Sequence, residues 1–227
     1  MVRGGSRVLA VSEWSASRIE ELLGPDIGPV GVARGGVDES FAPGRPGPAH
    51  LAGLGLERDR FLLHVGSYVP RKNIPFLLDA YARVRERGCE WPLVMVGAER
   101  WGEVKMGRDE GLVILSGLDD RHLVSLYRGC RALLLPSIYE GQGLPAMEAA
   151  ACGCAVLCSN ATALPETAGS FAVMLDPSDL GVWVEAIAAL RDPDRLAELR
   201  TRAHAAPTRT WVDCARDALD FYREVEV

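Results

Sequence analysis

The sequence predicts an α/β protein built on a doubly wound, parallel, Rossmann-like sheet, and three observations carry that expectation. Six apolar runs are too short for helices and stop at polar or turn residues: "FLLHVGS" (61–67), "PLVMVG" (92–97), "LVILSG" (112–117), "RALLLPS" (131–137), "AVLCSN" (155–160) and "FAVMLDP" (171–177). Segments of helical period stand between or after them. With 227 residues, 48% of them hydrophobic, the chain is long enough to bury both faces of such a sheet. Strands that alternate with helices pair in parallel, with helices covering both faces.

In chain order, residues 7–23 ("RVLAVSEWSASRIEELL") read as a strand, a Ser-initiated turn and a helix. "PVGVARGGVDESFAP" (29–43) adds a second short strand that runs into a Gly-, Pro- and Arg-rich linker ending near Gly55. Two strands cannot close a core by themselves, so this stretch looks like the last elements of a preceding domain. "NIPFLLDAYARVRERG" (73–88) sets Ile74, Leu77, Leu78, Tyr81 and Val84 on one helical face. "DDRHLVSLYRGC" (119–130) and "GLPAMEAAACG" (143–153) are two further helices. "TWVDCARDALDFYREV" (210–225) is a long amphipathic helix whose apolar face (Trp211, Cys214, Ala215, Ala218, Leu219, Tyr222) requires a partner surface.

A formal charge of −6 and a pI near 5.3 argue against nucleic acid as a partner, because phosphate neutralisation needs clustered excess Lys and Arg. An anionic small molecule stays compatible with an acidic chain that carries a local basic pair. No apolar run reaches the roughly 20 residues that span a bilayer, and the start "MVRGGSRVLAVSEW" lacks the apolar length of a signal peptide. The expected address is cytoplasmic, with at most peripheral contact at the inner face of the membrane. Three of the six cysteines (Cys89, Cys130, Cys152, Cys154, Cys158, Cys214) fall in "ACGCAVLC". A closed zinc site needs four ligands, whereas here one cysteine ends a helix and two sit in an apolar strand, so buried thiols acting as small hydrophobes are expected.

In open parallel sheets, ligands bind beyond the carboxyl ends of the strands, where strand order reverses. The loops at those ends are "GSYVPRKN", "GAERWG", "SGLDD", "PSIYEGQG" and "SNATALPE". In the first, Gly66 permits close backbone approach and Arg71-Lys72 set two cations beside a helix start, where positive charge is unfavourable unless an anion is present. A diphosphate would supply that anion, bound by a forked guanidinium and a point-charge ammonium. In "EGQGLPAME", Gly141 and Gly143 free the backbone, and Pro145 lies in the first helical turn. The N–H groups there are free to meet a ligand. Glu140 precedes that helix and Glu148 lies about one turn inside it. At about 1.5 Å rise per residue, their side chains are expected on the order of 10 Å apart. That spacing suits two hydroxyl-bearing rings joined through a diphosphate better than a retaining-hydrolase pair, which needs about 5 to 5.5 Å. His64, in a core strand, and His122, in a helix, are read as structural residues rather than bases.

The runs "GSYVPRKNIPFLLDAYA", "LVMVG", "SGLDDRHLVSLYRGCRALLLPSIYEGQGLPAMEAAACGCAVLCSN" and "ALPETAG" resemble the nucleotide-sugar-binding, C-terminal half of retaining glycosyltransferases of family four. Those enzymes have the GT-B fold of two facing Rossmann-like domains. The likeness spans about residues 7–225, and Glu140, seven residues and Glu148 match the family's paired-glutamate signature. It implies that residues 1–45 are a remnant of the acceptor domain and hinge, 46–207 the donor-binding domain, and 208–227 a C-terminal crossover helix. It further implies that Arg71 and Lys72 hold the donor diphosphate and stabilise it as it leaves. Glu140 would meet hydroxyls of the transferred sugar, helped by the backbone N–H groups of Gly141, Gln142, Gly143 and Leu144. Glu148 would bind the ribose, and the backbone around Leu118 would edge the base, with Gly66 and Gly97 lining the donor site. No metal or other cofactor is implied beyond a GDP- or UDP-linked sugar as substrate, in agreement with the lack of an Asp-x-Asp motif.

The resemblance thus implies a mannosyltransferase-like enzyme of polysaccharide biosynthesis that moves a hexose-type sugar to a glycan or lipid-linked acceptor, with an N-terminal acceptor domain as its further partner. Cations and helix-end dipoles aimed at the diphosphate would stabilise charge that grows as the anomeric bond breaks. Two alternatives remain open: a donor-binding fragment without activity of its own, and half of a sugar-nucleotide epimerase. The second would need acid-base residues in the cleft beyond the two glutamates.

Overall fold

A computed structural model of the chain describes residues 7–28, 30–97 and 111–225. The "GAERWG" loop beyond Gly97 lies outside them. Six strands, β3 (Leu62–Val65), β4 (Leu93–Val96), β5 (Leu112–Leu115), β6 (Ala132–Leu135), β7 (Ala155–Ser159) and β8 (Val173–Leu175), form one sheet in the order β5-β4-β3-β6-β7-β8, with every neighbour parallel. They are the six expected apolar runs. Chain order reverses between β3 and β6, which places the topological switch point there.

Side chains alternate across the sheet, and two cores result. Leu63, Val94, Leu133, Val156 and Cys158 face one side. There they meet residues of α4 (Asp120–Gly129), α5 (Leu144–Ala151) and α6 (Leu164–Ala168), with Leu51 of the short α2 (Pro48–Gly53). Leu62, Leu93, Met95, Leu134 and Leu157 face the other side. They meet Ile74, Leu77, Tyr81 and Val84 of α3 (Ile74–Glu86), Trp183 and Ile187 of α7 (Leu180–Ala189), and Leu196 and Leu199 of α8 (Pro193–His204). Apart from His64 in β3 and Ser159 in β7 the strands are apolar, because both faces of the sheet are covered except at its edge strand β5, where Ile114 is 47% exposed. Of the face expected for α3, only Leu78 stays partly exposed. Five of the six cysteines are buried; Cys154 lies in the turn just before β7 rather than within the strand.

The N-terminal stretch forms β1 (Val8–Ala10), α1 (Glu13–Leu23) and β2 (Val30–Val32), with β1 and β2 making a separate two-stranded parallel sheet. Ser12 caps α1, its Oγ accepting from Ser15 N–H, so the Ser-initiated turn forms as expected. The final helix, α9 (Trp211–Val225), packs on β2. Its expected apolar face is divided. Cys214 and Ala218 are half-buried, and the contact with Gly31 is made by the Phe221 ring, not by Tyr222. Trp211, Leu219 and Tyr222 are half or more exposed, because β2 offers only the narrow surface over Gly31. Among the described residues no helix is long and apolar enough to cross a membrane.

The linker returns against the chain end at Gly36. Val37 N–H donates to Arg209 O (2.8 Å), and a Cβ on Gly36 would lie 2.0 Å from the Thr210 carbonyl carbon. Gly36→Ala must therefore part the two backbones, at a cost of roughly 1–3 kcal/mol by analogy with overpacking. Hydrogen exchange should show faster amide exchange at Val37 and through α9. Unchanged exchange in both places would mean that something else anchors the helix.

Candidate functional site

The site sits at the carboxyl ends of β3 and β6, on both sides of the switch point. After β3 the chain passes Gly66 and makes a 3₁₀ turn at Pro70–Lys72, and Asn73 takes a left-handed conformation (φ 57°) before α3 begins. The Asn73 side chain holds that turn by donating to Pro177 O (3.0 Å). Gly66 and Gly97 end adjacent strands, β3 and β4, with their backbones in contact. A Cβ on Gly97 would stand 2.0 Å from Gly66 O, so this crossing requires glycine.

After β6, residues 136–143 lead into α5. Gly143, at φ 95°, is the N-cap and offers no side chain to the helix end. A Cβ there would lie 2.5 Å from Leu164 Cδ2. Among the described residues, the N–H groups of Gly141, Gln142 and Gly143 have no protein acceptor. The N-terminal end of α5 therefore carries unspent donors and the positive end of its dipole.

Glu140 is buried between the two loops. Its carboxylate is ion-paired with the Lys72 ammonium, takes Arg71 Nη1 at 3.1 Å on Oε2 and accepts from Ser137 Oγ at 2.8 Å on Oε1. Its own N–H donates to Thr162 Oγ1 (2.9 Å), and Ile138 N–H donates to Arg71 O (2.9 Å). This corrects the inference that the Arg71-Lys72 pair needs an external anion. The β6–α5 loop supplies one from within the chain, a contact between residues 68 positions apart that local spacing could not reveal. Lys72 is 5% exposed, whereas the Arg71 side chain is about half exposed, at 48%. The ammonium is a fixed part of the wall and the guanidinium is its free edge.

Glu148, on α5, belongs to a different cluster. Its Oε2 accepts from the hydroxyl of Tyr127 on α4 (2.9 Å). Burial lifts its carboxyl above the ordinary range, the Tyr127 hydrogen bond draws it back, and nearby Asp120 lifts it again. The paired glutamates thus have separate partners: cations at the switch point for Glu140, a phenol one helix away for Glu148. Leu118 lies in the β5–α4 connection, after Gly117 (φ 67°), and its side chain is half-buried against the core.

Gln142 turns its side chain away from the loop. It accepts from Gly35 N–H and donates to Gly35 O, both at 2.9 Å. Ser12 Oγ donates to Gly141 O (2.6 Å), and the edge of Trp14 meets the Tyr139 ring. Glu166 accepts from the first N–H groups of α1, at Glu13 and Trp14, and pairs with Arg34. The N-terminal segment is therefore clasped to the glycine loop. Ser137, Tyr127, Thr162 and Glu166 escaped the sequence reading, since each acts through a neighbour distant in sequence and looks locally like an ordinary core or cap residue.

His64 is fully buried and donates Nδ1–H to Leu134 O (2.8 Å); burial drops its pKa to about 4, so it stays neutral near pH 7 and serves the core. His122 packs on the exposed N-terminal turn of α4, with Nδ1 2.5 Å from Asp119, the helix N-cap. His64 is bonded to a neighbouring strand, and His122 to its own helix cap.

Comparison with known proteins follows the same geography. The family model described as glycosyl transferases group 1 matches residues 50–206, which contain both clusters. "O-antigen chain mannosyltransferase B" of Escherichia coli is 31% identical over 95% of this chain and 60% of its own length. "MMP alpha-(1->4)-mannosyltransferase" of Mycolicibacterium hassiacum is 32% identical over 75% of this chain and 44% of its own. The crystal structure of Anabaena HepE with UDP-glucose superposes with a TM-score of 0.80 at 19% identity, over 98% of this chain and 65% of that one. The chain spans about three fifths of the Escherichia coli relative.

Proposed function

The chain belongs to the family of glycosyl transferases group 1, and from that premise we propose that it is the donor-binding, C-terminal half of a retaining family-four enzyme of the GT-B type. It takes a GDP- or UDP-linked hexose and passes the sugar to a glycan or lipid-linked acceptor. The names of its mannosyltransferase relatives favour mannose. The observation that carries the reading is the cluster of Lys72, Arg71 and Glu140 at the switch point, beside the free N–H groups that open α5.

On this reading the donor diphosphate lies against Lys72, Arg71 and the end of α5. Those groups are fixed before the reaction and stabilise negative charge as the sugar–phosphate bond breaks. Glu140 meets sugar hydroxyls, with the N–H groups of Gly141, Gln142, Gly143 and Leu144 beside it. Glu148 takes the ribose, and the backbone near Leu118 edges the base. Gly66 and Gly97 keep the strand ends thin enough for the donor to approach. The β1–α1–β2 unit and α9 belong to the acceptor domain and its hinge.

Two single substitutions test the arrangement. Glu148→Ala should weaken binding of the nucleoside diphosphate itself by about tenfold, the value of one hydrogen bond to a charged group. Glu140→Gln, which removes the charge paired with Lys72 and Arg71, should not weaken the nucleoside diphosphate but should lose the added affinity contributed by the sugar. Calorimetry on both ligands separates these outcomes. Equal loss of nucleoside diphosphate in the two variants would sink the assignment of one glutamate to each ring.

A further inference from the structure

Tyr127 is fully buried, yet it carries a hydroxyl into the core. The ring is fixed by α4 and by an edge contact with Phe41 (6.0 Å between centroids). Its hydroxyl donates to Glu148 Oε2 at 2.9 Å. A buried phenol costs free energy unless it is bonded, and phenylalanine would fill the same volume without that need. Burial also pushes the Tyr127 phenol well above its ordinary range, so it remains a donor at every physiological pH. A carboxylate can accept about four hydrogen bonds; among the described residues Glu148 receives one, and Oε1 has no protein donor.

We propose that Tyr127 is a positioning residue for nucleotide recognition: its hydroxyl fixes the plane of the Glu148 carboxylate and leaves Oε1 to receive the ribose diol. The inference rests on the ribose role proposed for Glu148 and deepens it. The terminal torsion of a glutamate is broad and nearly two-fold, so a free carboxylate on α5 would have to be ordered by the ligand at the ligand's expense. A donor built into α4 orders it beforehand, and preorganisation raises affinity by removing that cost. The gain is confined to ligands that carry ribose hydroxyls.

The test is Tyr127→Phe in the full chain, which deletes one oxygen and keeps the ring. Binding of UDP and GDP is measured beside their 2′,3′-dideoxy counterparts. The expected result is a loss of about tenfold for the ribonucleotide that the wild type binds, with dideoxy affinity unchanged. Equal losses for both sugars would show a merely structural tyrosine, and no loss would show that Glu148 needs no fixing; either result overturns the proposal. In the double variant with Glu148→Ala, Tyr127→Phe should add nothing; a further tenfold loss there would also overturn it. Glu148→Ala alone must erase discrimination between ribose and dideoxyribose. If it does not, or if the wild-type chain binds neither diphosphate, the ribose reading of Glu148 is what fails.

Discussion

Lys72→Ala should destabilise the fold by about 3–5 kcal/mol, far more than the loss of an ordinary lysine. Lys72 and Glu140 are both buried, at 5% and 6% exposure. Removing one partner of a buried ion pair leaves the other desolvated and uncompensated, and that is the costly case. Among the described residues, Ser137 and the half-exposed Arg71 would be the only donors left on the Glu140 carboxylate. Arg71→Ala should cost no more than about 1 kcal/mol, as expected of a pair screened by solvent. Denaturant unfolding of the two variants reads the contrast directly. Similar midpoints would mean that the buried pair does not hold these loops together. If Lys72 holds the donor diphosphate as proposed, nucleoside diphosphate affinity, measured on the folded fraction, should fall by tenfold or more in Lys72→Ala, the value of one charge-assisted contact.

Sugar transfer by residues 1–227 alone should be negligible, and it should appear when an acceptor domain is joined ahead of β1. Holding an acceptor hydroxyl against the anomeric carbon is a matter of positioning, worth up to roughly 7–11 kcal/mol of barrier in well-oriented systems. Nothing in the switch-point cluster supplies it. The geometry shows where the addition would act. β1 and β2 form a two-stranded sheet too small for a core, and α1 exposes Leu22 at 82%. The same segment is tied to the glycine loop through Ser12 and Gln142 and to α6 through Glu166. An acceptor domain continuing that sheet would therefore be held against the glycine loop. Product analysis with a nucleotide sugar and a defined acceptor is the measurement. Robust turnover by the 227-residue chain alone would show that an acceptor site is already complete within it.

The two glutamates show what was legible and what was not. Their identity, their separation in the chain and their place around a glycine turn before a helix are local facts, and the structure sets Glu140 ahead of α5 and Glu148 within it. Their partners are not local. The sequence suggested that Arg71-Lys72 awaited an external anion, but Glu140 had to be brought across the switch point before its carboxylate could be seen to serve them. Nothing in "SLYRGC" marks Tyr127 as carrying a hydroxyl aimed at Glu148. The last helix shows the same limit. Its amphipathic period was plain, but which ring would pack, Phe221 or Tyr222, depended on the gap above Gly31.

By itself, then, the sequence determined the strands, the helices between them, the parallel sheet and the loops that could hold a ligand. Those follow from short-range causes: side-chain periodicity, caps, and glycine or proline at turns, each acting over a few residues. Only the tertiary structure decided which buried charges compensate each other, that Gln142 and Ser12 clasp the N-terminal segment to the glycine loop, and that Gly36 must be bare for the chain end to pass. These contacts join residues from 68 to 174 positions apart in the chain, Glu140 with Lys72 and Gly36 with Thr210. A buried charge or a backbone crossing is fixed by whatever the completed fold brings within a few ångströms, and no local pattern encodes that neighbour.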